Sequence, residues 1–137
     1  MKLGSDCIRD ILITMEKLPF DGALRIEELC EALPKYEAEE VHYTALKLIE
    51  ADLIDGVCYD RDDWNTSHVY SVIDITFAGH QFLAKIRDDN RWGIVKRGLS
   101  SVRDYSLSAI GAIAEGATSA AISAFFSQAE NTPIYKA

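Results

Sequence analysis

Three histidines, His42, His68 and His80, are the side chains of this sequence best suited to metal binding or general-base catalysis. His80 lies one turn into a predicted helix, where either role would need an acidic or cysteine partner at helical spacing. Gln81 and Ala84 are not such partners. We therefore interpret His80 as a packed, hydrogen-bonded structural histidine and predict no catalytic residue and no metal ligand.

The three cysteines, Cys7, Cys30 and Cys58, are odd in number, far apart and without a C-x-x-C pair. This spacing is unlike a disulfide framework or a zinc site and is typical of free thiols in a reducing cytoplasm. Charged residues interrupt the N-terminal segment MKLGSDCIRDILITMEKL, so no signal-peptide apolar core fits there. The sequence therefore predicts a cytoplasmic protein.

Asp60, Asp62 and Asp63 crowd a predicted turn and raise the question of a calcium loop. Such a loop needs oxygen ligands at alternating positions and a downstream glutamate, but Trp64 occupies one position and no glutamate follows. The sequence also has no glycine-rich phosphate loop, no G-x-S-x-G and no H-E-x-x-H. We predict a solvated turn, no cofactor and no enzymatic activity.

Hydrophobic periodicity predicts the elements that carry these residues. Helices are expected over Ser5–Leu18, Ile26–Leu33, Ala38–Ala51 and Phe77 to about Ile86, a short strand over Ala23–Ile26, and a hairpin over Leu53–Asp60 and Ser67–Ile75. Ser5 or Asp6 is expected to cap the first helix, Asp52 to end the third in a left-handed conformation, and Thr76 to cap the fourth.

The stretch VYSVIDITFAGHQFLAKIRDD changes its period at Thr76. Before Thr76, one face of a strand is expected to carry Val69, Ser71, Ile73 and Ile75. After Thr76, one face of a helix is expected to carry the apolar residues Phe77, Phe82, Leu83 and Ile86.

The order helix, short strand, helix, helix, hairpin, helix predicts a mainly α (α+β) fold of the winged helix-turn-helix type. The chain has 137 residues, the size of one ordinary domain with an appended segment. We expect a winged-helix domain over residues 1–90, a C-terminal helical extension over residues 91–127 and a flexible tail over residues 128–137.

Three stretches resemble a known family: MKLGSDCIRDIL, LIEADLIDG and ITFAGHQFLAKIRDDNRWGIVK. They are similar to the small bacterial and phage-encoded proteins catalogued as domain of unknown function 2513. The run from Gly79 to Trp92 is fairly specific, whereas Asp52 departs from the glycine usual there and Phe77-Ala78 from the usual proline or polar residue. The resemblance implies a winged helix in a phage or prophage setting and implies no activity.

The charge distribution argues against DNA reading by the third helix. The formal net charge is −8, and this helix exposes four glutamates, Glu37, Glu39, Glu40 and Glu50, against His42 and Lys47. Residues 1–84 carry a net charge of −10 and residues 85–104 a net charge of +3. We call the latter segment the basic neck; its cationic residues are Lys85, Arg87, Arg91, Lys96, Arg97 and Arg103.

This charge distribution is compatible with two functions. The one we expect is a non-enzymatic protein–protein interaction module of phage or prophage origin that acts on an unidentified protein partner. The alternative is a DNA-binding transcriptional regulator that uses Arg61 at the wing tip and the basic neck. Nucleic acid is the disfavoured partner of the two.

The segment Ser106–Phe126 carries a single charge, Glu115, and is rich in alanine, glycine and serine. A central acidic residue costs about 2.5–3.5 kcal/mol on insertion, which roughly cancels what its large apolar residues contribute, so a membrane span is disfavoured. We predict instead a long helix from about Ser101 to Phe126 that forms a homodimer. The predicted interface consists of Leu107, Ile110, Ala114, Ala117, Ala121 and Phe125.

Overall fold

The computed structural model describes residues 1–61 and 66–116, which form helices packed on a small antiparallel sheet. The elements are α1 (Ser5–Glu16), β1 (Leu24–Arg25), α2 (Ile26–Ala32), α3 (Ala38–Glu50), β2 (Ile54–Arg61), β3 (Thr66–Ile75), α4 (Phe77–Ile86) and α5 (Asp89–Val102). A further helix, α6, begins at Leu107, and its described part covers residues 107–116. The strand order is β1-β3-β2. The predicted α+β class and the predicted order of elements are confirmed.

Helix α1 buries one complete stripe at the centre of the core, as its spacing predicted. The buried side chains are Cys7, Ile8, Ile11, Leu12 and Met15. Fully burying an aliphatic side chain of this size stabilises a fold by about 1.5–3 kcal/mol. The predicted cap is wrong: Gly4 takes the N-cap position, without a side-chain hydrogen bond. Asp6 instead accepts a hydrogen bond from Trp92 Nε1 at 2.8 Å.

The end of α3 has the predicted left-handed residue. Asp52 has a φ of 59°. Its N–H donates to Ile49 O at 3.0 Å and the N–H of Leu53 donates to Leu48 O at 3.0 Å, the two bonds of a Schellman motif. Thr76 then joins this end to α4, because its hydroxyl donates to Asp52 O at 2.6 Å and accepts from the N–H of Gly79 at 2.9 Å. The prediction of Thr76 as N-cap is confirmed.

Strand β3 does not alternate as predicted. Its buried residues are Val69, Val72 and Ile75, at intervals of three. The pairing with β2 shifts twice, and each shift leaves one β3 residue, Tyr70 or Ile73, without a partner on β2. These are β-bulges, and each one resets which face the following residue occupies. Phe77, placed on the inner face of α4 by periodicity, is 77% exposed.

The C-terminal part folds back on the domain rather than forming one long helix. Helix α5 buries Trp92, Val95 and Leu99 and ends at Arg103, which has a φ of 58°. Arg103 therefore interrupts the helix predicted from Ser101 onward. Ser106 caps the N-terminus of α6, which begins at Leu107, since the Ser106 Oγ accepts a hydrogen bond from the N–H of Ala109 at 3.1 Å.

One glycine lets α6 approach α5 closely. A Cβ added at Gly98 of α5 would lie 2.9 Å from Ile113 Cγ2, whereas one added at Gly111 would lie 3.8 Å from Phe82 of α4, an ordinary van der Waals contact. Ile110 and Ala114 are consequently buried in the same core cluster as α1. The predicted boundary at residue 90 falls inside α5, whose buried face also belongs to this cluster. Among the described residues, no helix combines the length and hydropathy needed to cross a bilayer.

Candidate functional site at helix α3

Helix α3 is joined to the β2–β3 hairpin through a histidine pair. The N–H of Val69 donates to His42 Nε2 at 2.9 Å. The His42 ring meets the His68 ring edge-on, with centroids 5.5 Å apart, and His68 lies 5.6 Å from the Tyr59 ring. Burial, and then His68, lowers the pKa of His42. A neutral His42 fits this bond, since only the unprotonated Nε2 can accept it.

Two cavities flank His42 and share it together with Glu39. One, of about 400 Å³, is lined by Ile26, Glu27, Cys30, Ala38, Glu39, His42 and Tyr59. The other, of about 300 Å³, is lined by Met1, Glu39, His42, Tyr43, Leu46, Ser67 and His68. We call the two cavities together the α3 groove. The reasoning from sequence missed it, because the hairpin residues that line it are distant from α3 along the chain.

The surroundings of the α3 groove are acidic. Neither cavity is lined by lysine or arginine. Residues 26–50, which include α2 and α3, carry seven glutamates and two lysines, a formal net charge of −5. Both lysines are already in ion pairs: Lys35 lies 2.9 Å from Asp10 and Lys47 lies 3.0 Å from Glu50. The groove therefore offers carboxylates to a ligand without lysine or arginine side chains on its walls.

The cysteine thiols are poorly suited to nucleophilic chemistry. Burial, reinforced by Glu27, raises the pKa of Cys30, whose Sγ donates to Ala38 O at 3.7 Å. Burial raises the pKa of Cys7 to about 11 and also raises that of Cys58. A thiol with a raised pKa stays protonated at neutral pH and attacks slowly. Within the described residues, no three histidine, cysteine or acidic side chains are placed to hold a metal ion.

His80 differs from its interpretation as a packed, hydrogen-bonded histidine. The residue is exposed. Its backbone N–H donates to Thr76 O at 2.9 Å, but its ring makes no hydrogen bond with the described part of the chain. The reason is its position on α4 beside the face that carries the buried residues Gly79, Leu83 and Ile86, and not on that face.

Half of the basic neck is neutralised by carboxylates of its own chain. Lys85 lies 2.5 Å from Glu115, Arg87 pairs with Glu16, and Lys96 lies 3.3 Å from Asp6. The remaining predicted contact residues of the neck, Arg91, Arg97 and Arg103, have no ion-pair partner among the described residues. Three of the six cations of the neck are thus left without a carboxylate partner in the described part of the chain. The side chain of Arg61 lies outside what the structure describes.

Two residues of the predicted oligomer interface are buried by their own chain. Ile110 and Ala114 are completely buried within their own chain, so they present no surface to a second copy. Leu107 is half-buried and packs against the same core. The physical reason is the close approach of α6 to α5 that Gly98 permits, which the sequence pattern did not reveal. Ala117, Ala121 and Phe125 lie outside the described residues.

The first and last stretches that carry the family resemblance meet at Arg9. Its Nε donates to Ile86 O at 2.8 Å, and its Nη2 donates to Arg87 O at 2.5 Å and to Asp89 Oδ1 at 2.7 Å. These carbonyls belong to the C-terminal end of α4, where a cation is favourable and free carbonyls need donors. Arg9 therefore fixes the junction between α4 and α5 to α1.

Trp92 completes this contact from α5. The guanidinium of Arg9 lies 5.6 Å from the Trp92 ring centroid, within range of a cation–π interaction. Burial works against ionisation of Asp6, but its hydrogen bonds from Trp92 and Lys96 prevail and lower its pKa. We call Arg9, Asp6 and Trp92 the Arg9–Trp92 clamp. Its chemistry is structural, since every group in it is engaged by another part of the chain.

Comparison with known proteins places the chain in one family. Residues 2–104 match the model of the family described as hypothetical protein DUF2513. An uncharacterised protein of Haemophilus influenzae is 31% identical over 118 residues, which cover 84% of this chain and 93% of that protein. No solved structure matches significantly. The chain belongs to the DUF2513 family, as its resemblance predicted.

Proposed function

We propose that this DUF2513 member is a winged-helix protein that binds another protein through the α3 groove and has no enzymatic activity. The observation that carries the proposal is the groove itself, two cavities with mainly apolar walls and a carboxylate edge beside His42. Such a surface suits a protein segment, which supplies both apolar and charged side chains. The partner we expect, from the family resemblance, is a host or phage protein.

The winged-helix part of the proposal is supported by element order and sheet topology. A third helix followed by a β2–β3 hairpin, with β1 added to β3, is the arrangement that such domains use to present α3. Fold alone does not give function, so the choice of partner depends on the surface of α3. Its first turn carries Glu39 and Glu40, which suit the helix dipole and repel phosphate.

Site-specific photo-crosslinking in native cells tests this proposal. A benzophenone amino acid at Tyr43, in the groove, is expected to give a discrete protein adduct on illumination. The same group at Ser100, exposed on α5, is the control and is expected to give none. Adducts of identical pattern from both positions, or adducts with nucleic acid alone, would overturn the proposal.

DNA regulation is the second candidate, and Arg91, Arg97 and Arg103 are the observation in its favour. These cations have no partner among the described residues and are free to contact phosphate. A fluorescence titration with genomic fragments at near-physiological salt tests it, with an Arg97→Glu/Arg103→Glu variant as comparison. Specific nanomolar binding that this variant loses would establish the regulator. Binding that disappears instead on changing Lys47 would mean that α3 reads DNA.

A further inference from the structure

We propose that the larger cavity of the α3 groove receives a lysine or arginine side chain from an amphipathic segment of the partner, whose neighbouring apolar residue enters the smaller cavity. The inference rests on the proposed protein-binding function and adds the chemistry of the partner. It depends on the combination of apolar walls, an aromatic ring and two carboxylates around one cavity.

The walls of the larger cavity match both parts of a long cationic side chain. Ile26 and Ala38 supply apolar surface on which an aliphatic stem packs, as the stems of lysine and arginine commonly do. Glu27 on α2 and Glu39 on α3 face the cavity from adjacent helices and pair with the charged head. The Tyr59 ring adds a face for a cation–π contact. A volume of about 400 Å³ is ample for one such side chain.

Charge complementarity selects this occupant over an anion. A phosphate or carboxylate ligand would need a cationic wall, and neither cavity has a lysine or arginine. An uncharged segment would leave Glu27 and Glu39 desolvated without a partner, which costs free energy. The smaller cavity presents Met1, Tyr43 and Leu46 and so accepts an apolar side chain. The partner segment therefore carries a cation and an apolar residue near each other.

His42, which lies between the two cavities, makes the affinity of the groove depend on pH. The titratable and charged groups that line the cavities with it are His68 and Tyr59 from the hairpin, Glu27 and Cys30 from α2, Glu39 and Tyr43 from its own helix, and the amino-terminal Met1. Protonation would place a positive charge inside the groove and remove the acceptor of the Val69 N–H. Affinity for a cationic segment is therefore expected to fall as pH decreases through the titration of His42.

Fluorescence anisotropy with defined peptides tests the inference on the full chain. The probes are fluorescein-labelled peptides of alternating arginine and leucine, with arginine–glycine and glutamate–leucine peptides of equal length for comparison. Binding of the arginine–leucine peptide alone is expected, with at least about a tenfold loss in a Glu27→Gln/Glu39→Gln variant. Glu31→Gln is the matched control, since Glu31 is an exposed α2 residue outside both cavities.

Several outcomes would overturn the inference. They are equal binding of the arginine–glycine peptide, equal losses in the control and the double variant, and no binding of any peptide. A second copy is the occupant instead if light scattering shows a dimer that Arg97→Glu/Arg103→Glu dissociates. A protein adduct from Tyr43 without peptide binding would refute the cationic chemistry and leave the protein-binding function standing. Absence of the adduct would refute the function itself.

Discussion

Replacing Arg9 with methionine tests whether the Arg9–Trp92 clamp stabilises the fold. Methionine keeps the apolar stem and removes the three hydrogen bonds of the guanidinium. The side chain of Arg9 is 12% exposed, whereas that of Asp89 is 93% exposed. The ion pair with Asp89 is therefore worth little, about 0–1 kcal/mol at most. The bonds to the carbonyl groups of Ile86 and Arg87 carry the effect.

The magnitude follows from these two carbonyl groups. A hydrogen bond to a charged group contributes about 1.5–3 kcal/mol. The carbonyl of Ile86, a buried residue, loses its donor, while that of the exposed Arg87 can bind water instead. We therefore expect Arg9→Met to lower the free energy of unfolding by about 2–4 kcal/mol and the melting temperature by roughly 8–16 °C.

Urea titrations followed by circular dichroism measure this change, with Asp89→Asn as the control. The control removes the charge of the exposed ion pair and of the first turn of α5 but keeps an acceptor oxygen, so it is expected to change the free energy of unfolding by less than about 1 kcal/mol. The reasoning is wrong if Arg9→Met is as mild as the control. It is also wrong if Asp89→Asn is as destabilising as Arg9→Met.

Three further predictions concern single positions. Gly79→Ala is expected to destabilise the chain by several kcal/mol in urea titrations, because the added Cβ would lie 2.0 Å from Leu53 O. Gly93→Ala is the contrasting variant, since a Cβ added there has no atom within 4 Å. It should stabilise the chain by about 0.5–1 kcal/mol. The pKa of His42 is lowered in the folded state, so below about pH 6.5 the unfolded chain binds more protons than the folded chain. Acidification through this range should therefore lower the stability of the protein, and should lower that of His42→Gln less. Thermal melts across pH measure both. Ile110→Ala should lower the free energy of unfolding by about 2–4 kcal/mol, because this side chain is buried in its own chain. The mass measured by light scattering should not change. A lower mass, from dissociation of an oligomer, without a loss of stability would instead support the predicted interface.

Features determined by neighbours in the chain were predictable from sequence. The α1 stripe, Thr76 as N-cap and the left-handed Asp52 depend on residues within about one helical turn, where periodicity and capping preferences act. The bulges at Tyr70 and Ile73 were not predictable, because they are defined by the register with β2. The docking of α6 also depends on contacts between distant segments, such as that between Gly98 and Ile113.

The candidate site was harder to predict than the fold for the same reason. Glutamates on α3 were evident as an acidic surface, but the groove exists only because the hairpin brings Tyr59 and His68 beside His42. Helical spacing cannot reveal this contact, because the hydrogen bond between His42 and Val69 joins residues 27 positions apart. The cations of the basic neck were evident from composition, but composition did not reveal that half of them are in ion pairs.

The residues that carry the family resemblance and those that line the α3 groove are almost separate sets. Arg9, Trp92 and Gly79 lie in the resembling stretches, and each is explained by packing: a clamp between helices for the first two and contact with a backbone carbonyl for the third. The groove residues Glu39 and Tyr59 lie outside those stretches. The quoted motif therefore reports packing contacts of the fold and does not by itself identify the groove, although the family match over residues 2–104 spans both. Relatives that keep the clamp but change the groove are expected to fold alike and bind different segments.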